Sequence, residues 1–230
     1  MATQTIVQGN SYEIIDNYIN DKTVIVTDPP YNIKYHYNTY TDNKKNENYW
    51  TDLRDIFLKA PSCVIMYPES LYVLAAYMNQ IPQKVCSWVY NANTEKQHRD
   101  CAYFGIKPDF SLYKQPYKNM KDKRVAELYK RTGGARSYDW KEVPQVKNKN
   151  KDDGGINITH PCQMPVEIMK WLVGIIPAEY KILDPFSGSG TTGVACAELN
   201  REFIGIALDK DYVRLGNARI KNAKQKLSFD

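Results

Sequence analysis

One short stretch of this chain combines residue types that do chemistry. It is Thr27-Asp28-Pro29-Pro30-Tyr31-Asn32, directly after the apolar run Val24-Ile25-Val26. A carboxylate followed by a proline-stiffened backbone sets two acceptors, the Asp28 side chain and the Pro29 carbonyl, at a fixed separation. Such a pair can take both hydrogens of an exocyclic nucleobase amine. The amine lone pair, normally delocalised into the ring, then localises on nitrogen and becomes nucleophilic. Tyr31 can stack on the base once it is flipped out of a duplex. The competing reading is a Pro-Pro turn that ends a strand, with Asp28 making local hydrogen bonds.

A second stretch runs Ile182-Leu183-Asp184-Pro185-Phe186-Ser187-Gly188-Ser189-Gly190-Thr191-Thr192-Gly193, which reads as strand, glycine turn, helix. Glycines let backbone pass close under a ligand, and the helix start offers free N–H groups. Gly188, Gly190 and Gly193 fit the GxGxxG spacing of dinucleotide sites, a weak signal alone. Asp184 at the strand end repels a pyrophosphate. It suits a cationic ligand instead, such as the amino group of S-adenosylmethionine.

Elements must hold these turns in place. Val24 to Val26, Cys63 to Met66, Val85 to Tyr90 and, more weakly, Phe110 to Tyr113 read as strands. Helical spacing lies at Asp52 to Leu58 and Ser70 to Met78. After a poorly patterned region, helices are predicted at Pro165 to Ile176, Thr191 to Leu199 and Asp211 to Gln225. Strands are predicted at Lys181 to Leu183 and Phe203 to Leu208. Strands alternating with helices make an α/β domain with a largely parallel sheet.

The net charge of +5 hides an asymmetry. Between Leu112 and Lys151, twelve Lys and Arg face four Asp and Glu, a local excess of +8 on a body of −3. Lys114, Lys118, Lys121, Lys123, Arg124, Arg131 and Arg136 are interleaved there with Tyr113, Tyr117, Tyr129, Tyr138 and Trp140. Cations among aromatics suit phosphate contact and base stacking, although a Lys-rich solvated loop has the same composition. One short helix is predicted inside, Asp122 to Arg131. The 18 Tyr against 6 Phe give the aromatics a polar handle. Five Cys without a CxxC pair, and His36 and His98 without ligand-spaced partners, predict neither a disulfide framework nor a metal site, in keeping with a reducing cytoplasm. The N-terminus shows no secretory pattern, and runs such as Met169 to Ile176 are too short for a bilayer.

On these residues the chain resembles the amino-methyltransferases of DNA, which methylate adenine N6 or cytosine N4. The order, DPPY first and FxGxG last, is similar to the permuted β class. Ile6 to Asn10 resembles the family's strand-plus-GD segment, His160 to Glu167 its HPxQKPxE segment, and Arg201 to Ile206 the strand after the cofactor loop. The resemblance implies a Rossmann-like seven-stranded sheet, mostly parallel with one antiparallel strand. It implies one domain over residues 1–230, with 114–155 as a small target-recognition insertion. The implied catalytic residues are Asp28, Pro29, Pro30 and Tyr31. The implied S-adenosylmethionine set is Asn10, Asp28, Pro29, His160, Gln163, Pro165, Asp184, Phe186, Ser187, Gly188, Gly190, Thr191, Thr192 and Asp209. Double-stranded DNA is the implied partner, contacted by Tyr35 and the seven cations named above. Tyr35, Tyr37 and Tyr40 form a candidate flap over the target base. DPPY leans toward adenine. Cytosine N4, or a catalytically weakened DNA-binding regulator or partner subunit, is the alternative. An insertion this small reads few base pairs alone, so a homodimer is plausible.

Three positions depart from the family pattern. Ala207 stands where a ribose-gripping acid is usual, with Asp209 two residues on and displaced by roughly 7 Å. Asn10 replaces Asp but still accepts a hydrogen bond. Met164 replaces Lys, a lost charge-assisted contact of about 1.5–3 kcal/mol. Weak cofactor binding is the expected consequence. Cys162, Cys196 and Trp171 are expected in the core.

Overall fold

The structure, a computed structural model, describes residues 2–34, 42–146 and 163–227. The chain opens with β1 (Gln4–Gln8), the short helix α1 (Ser11–Ile14) and β2 (Thr23–Thr27). Then come α2 (Asn46–Phe57), β3 (Ser62–Met66), α3 (Pro68–Met78), β4 (Lys84–Val89) and β5 (His98–Phe104). The basic region holds β6 (Lys114–Gln115), α4 (Lys123–Thr132), β7 (Ala135–Arg136) and β8 (Trp140–Glu142). The last part is α5 (Val166–Gly174), β9 (Lys181–Asp184), α6 (Thr191–Glu198), β10 (Phe203–Ala207) and α7 (Lys210–Leu227).

The main sheet has the order β1-β10-β9-β2-β3-β5-β4-β8. Its pairs are parallel except those of β5, which runs antiparallel to both β3 and β4. Seven strands form the expected core of the sheet. The eighth, β8, comes from the basic region and pairs parallel with β4 at the edge. Central strands are buried on both faces, which explains their unbroken apolar runs. Alternation sorts their side chains: Val24 and Val26 join one core with Met169, Leu172, Val194 and Ile220, whereas Ile25, Val64 and Leu183 join Leu53, Phe57 and Leu74 on the other face. Helices therefore cover both faces. Trp171 and Cys196 are buried as expected.

Two expectations are corrected. Phe110 to Tyr113 is not a strand; its carbonyls at Phe110 and Tyr113 instead accept from the Ser137 N–H. The strand in this region is β5, whose His98-Arg99-Asp100 start breaks any apolar pattern. The basic region is also more ordered than one helix. β6 and β7 pair antiparallel, with Lys114 opposite Arg136. The helix α4 between them is capped by Asp122, which accepts from the Arg124 N–H at 2.8 Å, and by Gly133 in the left-handed conformation.

Candidate active site

In open α/β sheets the ligand crevice lies beyond the carboxyl ends of the strands, where neighbouring connections diverge. Here that point is between β9 and β2: β9 leads through α6 to β10, and β2 leads through α2 to β3 on the opposite side. A cavity of about 490 Å³ opens there, and both chemical motifs line it.

The glycine turn is held from several sides. Asp184 is buried, and Thr27 Oγ1 donates to its Oδ1 at 2.6 Å, the Phe186 N–H to Oδ1 at 3.1 Å and Thr192 Oγ1 to its Oδ2 at 2.5 Å. Burial pushes its pKa up to about 6 against these three donors, with Asp28 adding to the rise. Asp184 therefore shapes the turn first and offers a cation its charge more than a free oxygen. Arg219 on α7 supports the turn from below, donating to the Ser189 carbonyl at 2.6 Å and to Thr191 Oγ1 at 3.2 Å. Ser11 Oγ donates to the Pro185 carbonyl and ties α1 to the same turn.

The Asp-Pro-Pro-Tyr turn is fixed by residues that follow it. Tyr49 Oη on α2 donates to the Pro30 carbonyl at 2.7 Å, which anchors the turn at Pro30. Asn32 takes a left-handed backbone (φ 57°), and its Nδ2 donates to the Lys44 carbonyl at 2.9 Å. Asp28 reaches inward. Tyr31 Oη donates to its Oδ1, and Arg99 Nη1 donates to its Oδ2 at 3.1 Å. Burial raises the Asp28 pKa, while Arg99 and Tyr31 pull it down. Each carboxylate oxygen keeps a second lone pair free to accept a further hydrogen bond. The Tyr31 ring lies 5.3 Å from Tyr67, and the Arg99 guanidinium sits 5.1 Å from its centroid.

Of the cofactor residues expected from sequence, Asn10, Asp28, Pro29, Asp184, Phe186, Ser187, Gly188, Thr191, Thr192 and Asp209 line the cavity. Gln163, Pro165 and Gly190 do not. Met164 takes the wall position between Gln163 and Pro165, and Pro165 instead begins α5 as its N-cap. Gly190 caps α6 at φ 80° and packs against Ile6 and Gly216. Asp209 also caps α7, accepting from the Asp211 N–H at 2.7 Å. His160 and Tyr35, with Tyr37, Tyr40 and Cys162, lie outside the described residues. The seven cations are exposed on β6, α4, β7 and their connections; Arg124 also pairs with Asp122 at 3.1 Å. An exposed platform accompanies them, Tyr138 stacked on Trp140 at 6.0 Å with Lys118 above Tyr138. Sequence reading missed Arg99, Tyr67, Arg219 and Tyr12. Only Tyr12, two residues past Asn10, had a signal nearby.

The lining suits a cationic nucleoside better than a phosphate. It joins three carboxylates, Asp28, Asp184 and Asp209, to Tyr12, Phe186, Met164 and Met169, while its two cations, Arg99 and Lys44, are paired with Asp28 and Asp52. The Ser187 hydroxyl is buried beneath the turn without a hydrogen-bond partner among the described residues. Fold and cavity together define an S-adenosylmethionine-dependent methyltransferase. A family of DNA methylases matches residues 23–218, so the chain belongs to the N6/N4 amino-methyltransferases of DNA. Type II methyltransferase M.HpaI of Haemophilus parainfluenzae is 27% identical over 237 residues, which span 94% of this chain and 74% of that protein. Type II methyltransferase M.SmaI of Serratia marcescens is 60% identical over 97 residues, 36% of this chain and 33% of that one. Two solved structures share the fold. The M1.HpyAVI–SAM complex has a TM-score of 0.64 at 19% identity, over 94% of this chain and 98% of that one. PvuII DNA methyltransferase (cytosine-N4-specific) has a TM-score of 0.66 at 12% identity, over 99% and 93%. No helix among the described residues is long and apolar enough to cross a membrane.

The site carries a prediction about the cofactor. Ala207 and Met164 both line the cavity without a charge to offer. Isothermal titration with S-adenosylmethionine is expected to give a dissociation constant above about 1 µM, or −8.2 kcal/mol; a sub-micromolar value would contradict it. Asp184 is ionised above about pH 6 and neutral below it. Affinity for the cationic cofactor is therefore expected to be full near pH 7.5 and to weaken as pH falls through 6. Asp184→Asn should flatten that dependence.

Proposed function

We propose that this chain transfers a methyl group to N6 of a flipped-out adenine at a specific site in double-stranded DNA. The observation that carries this reading is the largely enclosed Asp28 carboxylate beside Tyr31, sharing one cavity with the glycine turn. When bound, S-adenosylmethionine supplies an electrophilic methyl group; Asp184, Phe186, Ser187, Gly188, Thr191, Thr192 and Asp209 are the residues that would hold it. Asp28 and the Pro29 carbonyl accept the two amine hydrogens, which raises electron density on the nitrogen that attacks. Tyr31 and Tyr67 border the base. No strong general base is required, since the amine becomes acidic as it is methylated. The basic module of β6, α4 and β7 is assigned to DNA recognition, where its cations face solvent on one continuous stretch. A homodimer is part of this proposal, because one small module contacts few base pairs.

Cytosine N4 offers the same two amine hydrogens and is the alternative acceptor. The intact Asp28 grip argues against a role confined to DNA binding. Methylation-sensitive sequencing and nucleoside analysis of DNA from cells expressing this chain test the proposal together. N6-methyladenine at one recurring sequence is the expected product. N4-methylcytosine would move the assignment to cytosine, and unmodified DNA would remove it.

A further inference from the structure

Arg99 stands near the start of β5, the strand that runs against its neighbours. Reversal brings the N-terminal end of β5 to the edge where parallel strands present their C-terminal ends. An arginine remote from both motifs thereby reaches Asp28. The geometry is that of a built site. Arg99 Nη1 lies 3.1 Å from Asp28 Oδ2, and the two side chains are only 12% and 15% exposed. The guanidinium sits 5.1, 5.3 and 5.2 Å from the rings of Tyr31, Tyr67 and Trp88, an aromatic enclosure that suits a delocalised cation. Its Nε is buried without a partner among the described residues. Met164 supplies a fourth contact, with Sδ 3.5 Å from Nη1. A lysine at 164 would put a second cation there, so neutral Met164 and charged Arg99 form a compatible pair.

We propose that Arg99 is a positioning residue for the transfer: it holds the Asp28 carboxylate charged and aimed at the place the amine takes. This rests on the role assigned to Asp28 above. The groups that face Asp28 are the Tyr31 hydroxyl from its own turn, Arg99 and the buried Cys101 thiol from β5 and Asp184 from β9. Tyr67 and Tyr90 face Arg99 in turn. Burial favours the neutral carboxyl; Arg99 is the foremost group opposing it, with the Tyr31 hydroxyl beside it. Without Arg99, Asp28 takes up a proton at higher pH, and a protonated Asp28 presents one acceptor fewer to the amine.

The test compares the wild-type protein, Arg99→Gln and Arg99→Lys. One arm measures single-turnover transfer from tritiated S-adenosylmethionine to unmethylated genomic DNA between pH 5 and 9. The other follows the Asp28 carboxyl carbon by NMR in 13C-aspartate-labelled protein, assigned with Asp28→Asn. In Arg99→Gln, the acidic limb of the rate and the carboxyl titration are both expected to move upward by about 1–3 pH units. The rate should recover toward the alkaline plateau, and Arg99→Lys should restore most of the wild-type profile. A uniform loss of rate with the carboxyl titration unchanged would overturn the inference, as would a wild-type profile in Arg99→Gln. If Arg99→Gln does not fold, Arg99→Met, equally without charge and of similar length, carries the same comparison with the same expected shift. Failure of the transfer reading itself is distinct: wild-type protein would then transfer no methyl group, while the NMR arm still reports the Arg99 effect.

Discussion

Asp28→Ala is expected to reduce the single-turnover rate of methyl transfer to DNA by on the order of 10²–10³, the loss of one preorganised hydrogen-bonding group. The loss has a specific origin. The alanine side chain accepts nothing, so the amine keeps one hydrogen unpaired and its lone pair stays in the ring. The Pro29 carbonyl alone cannot draw that pair onto nitrogen. The substitution also strands Arg99, whose guanidinium is held by Asp28 in a largely enclosed setting. Breaking such a pair costs about 3 kcal/mol, which for a domain of this size lowers the melting temperature by about 6–12 °C. The protein remains folded at 25 °C, since domains usually hold about 5–15 kcal/mol. A double variant, Asp28→Ala with Arg99→Gln, removes the stranded charge. It should regain thermal stability without regaining transfer. Circular dichroism and tritium transfer on the same preparations separate the two effects, and turnover retained by Asp28→Ala would refute the role given to Asp28.

Gly190→Val is expected to destabilise the fold by about 2–5 kcal/mol and to remove S-adenosylmethionine binding. Gly190 has φ 80°, a conformation that costs an L-residue roughly 1–2 kcal/mol. A Cβ at Gly190 would also stand 2.9 Å from the Gly216 Cα and 2.7 Å from the Ile6 side chain. The first of these is backbone and cannot rotate away, an overpacking of about 1–3 kcal/mol. Relief requires α6 and α7 to part, and that parting moves the turn over Arg219. Gly133→Ala provides the control. Gly133 is also left-handed, at φ 71°, but nothing lies within 4 Å of its added Cβ. Thermal denaturation should show a small loss for Gly133→Ala and a drop of about 5–15 °C for Gly190→Val. Equal losses in the two would mean that backbone strain, and not the approach of α7, makes glycine necessary at 190.

Some of this protein was legible in its amino-acid order. Central strands β2, β3, β9 and β10 are buried on both faces, so each reads as a short apolar run ended by Pro, Gly or Asp. The helices alternate with them, and the two chemical turns follow β2 and β9 directly. Strand ends and the turns after them are local, and the residues of a local turn are neighbours in sequence. This is why Asp28, Tyr31, Asp184, Phe186 and Gly188 stand out in the amino-acid order itself. The cap at Asp122 and Gly133 is local in the same sense.

Other parts needed the tertiary structure. β5 begins with three polar or charged residues because its start lies at the functional edge of the sheet, where polarity is useful. Its sequence therefore hides the strand that reverses direction. That reversal brings Arg99 to Asp28 across 71 residues. Arg219 reaches the glycine turn from α7 in the same way, 30 residues later in the chain. The separation of Met164, which faces the cavity, from Gln163 and Pro165, which do not, is a matter of side-chain direction that a motif cannot express. Composition and spacing alone determined the chemistry available to this chain, a carboxylate and carbonyl for an amine and a glycine turn for a cationic nucleoside. Only the sheet, by placing β5 against its neighbours, decided which distant charge faces the Asp28 carboxylate.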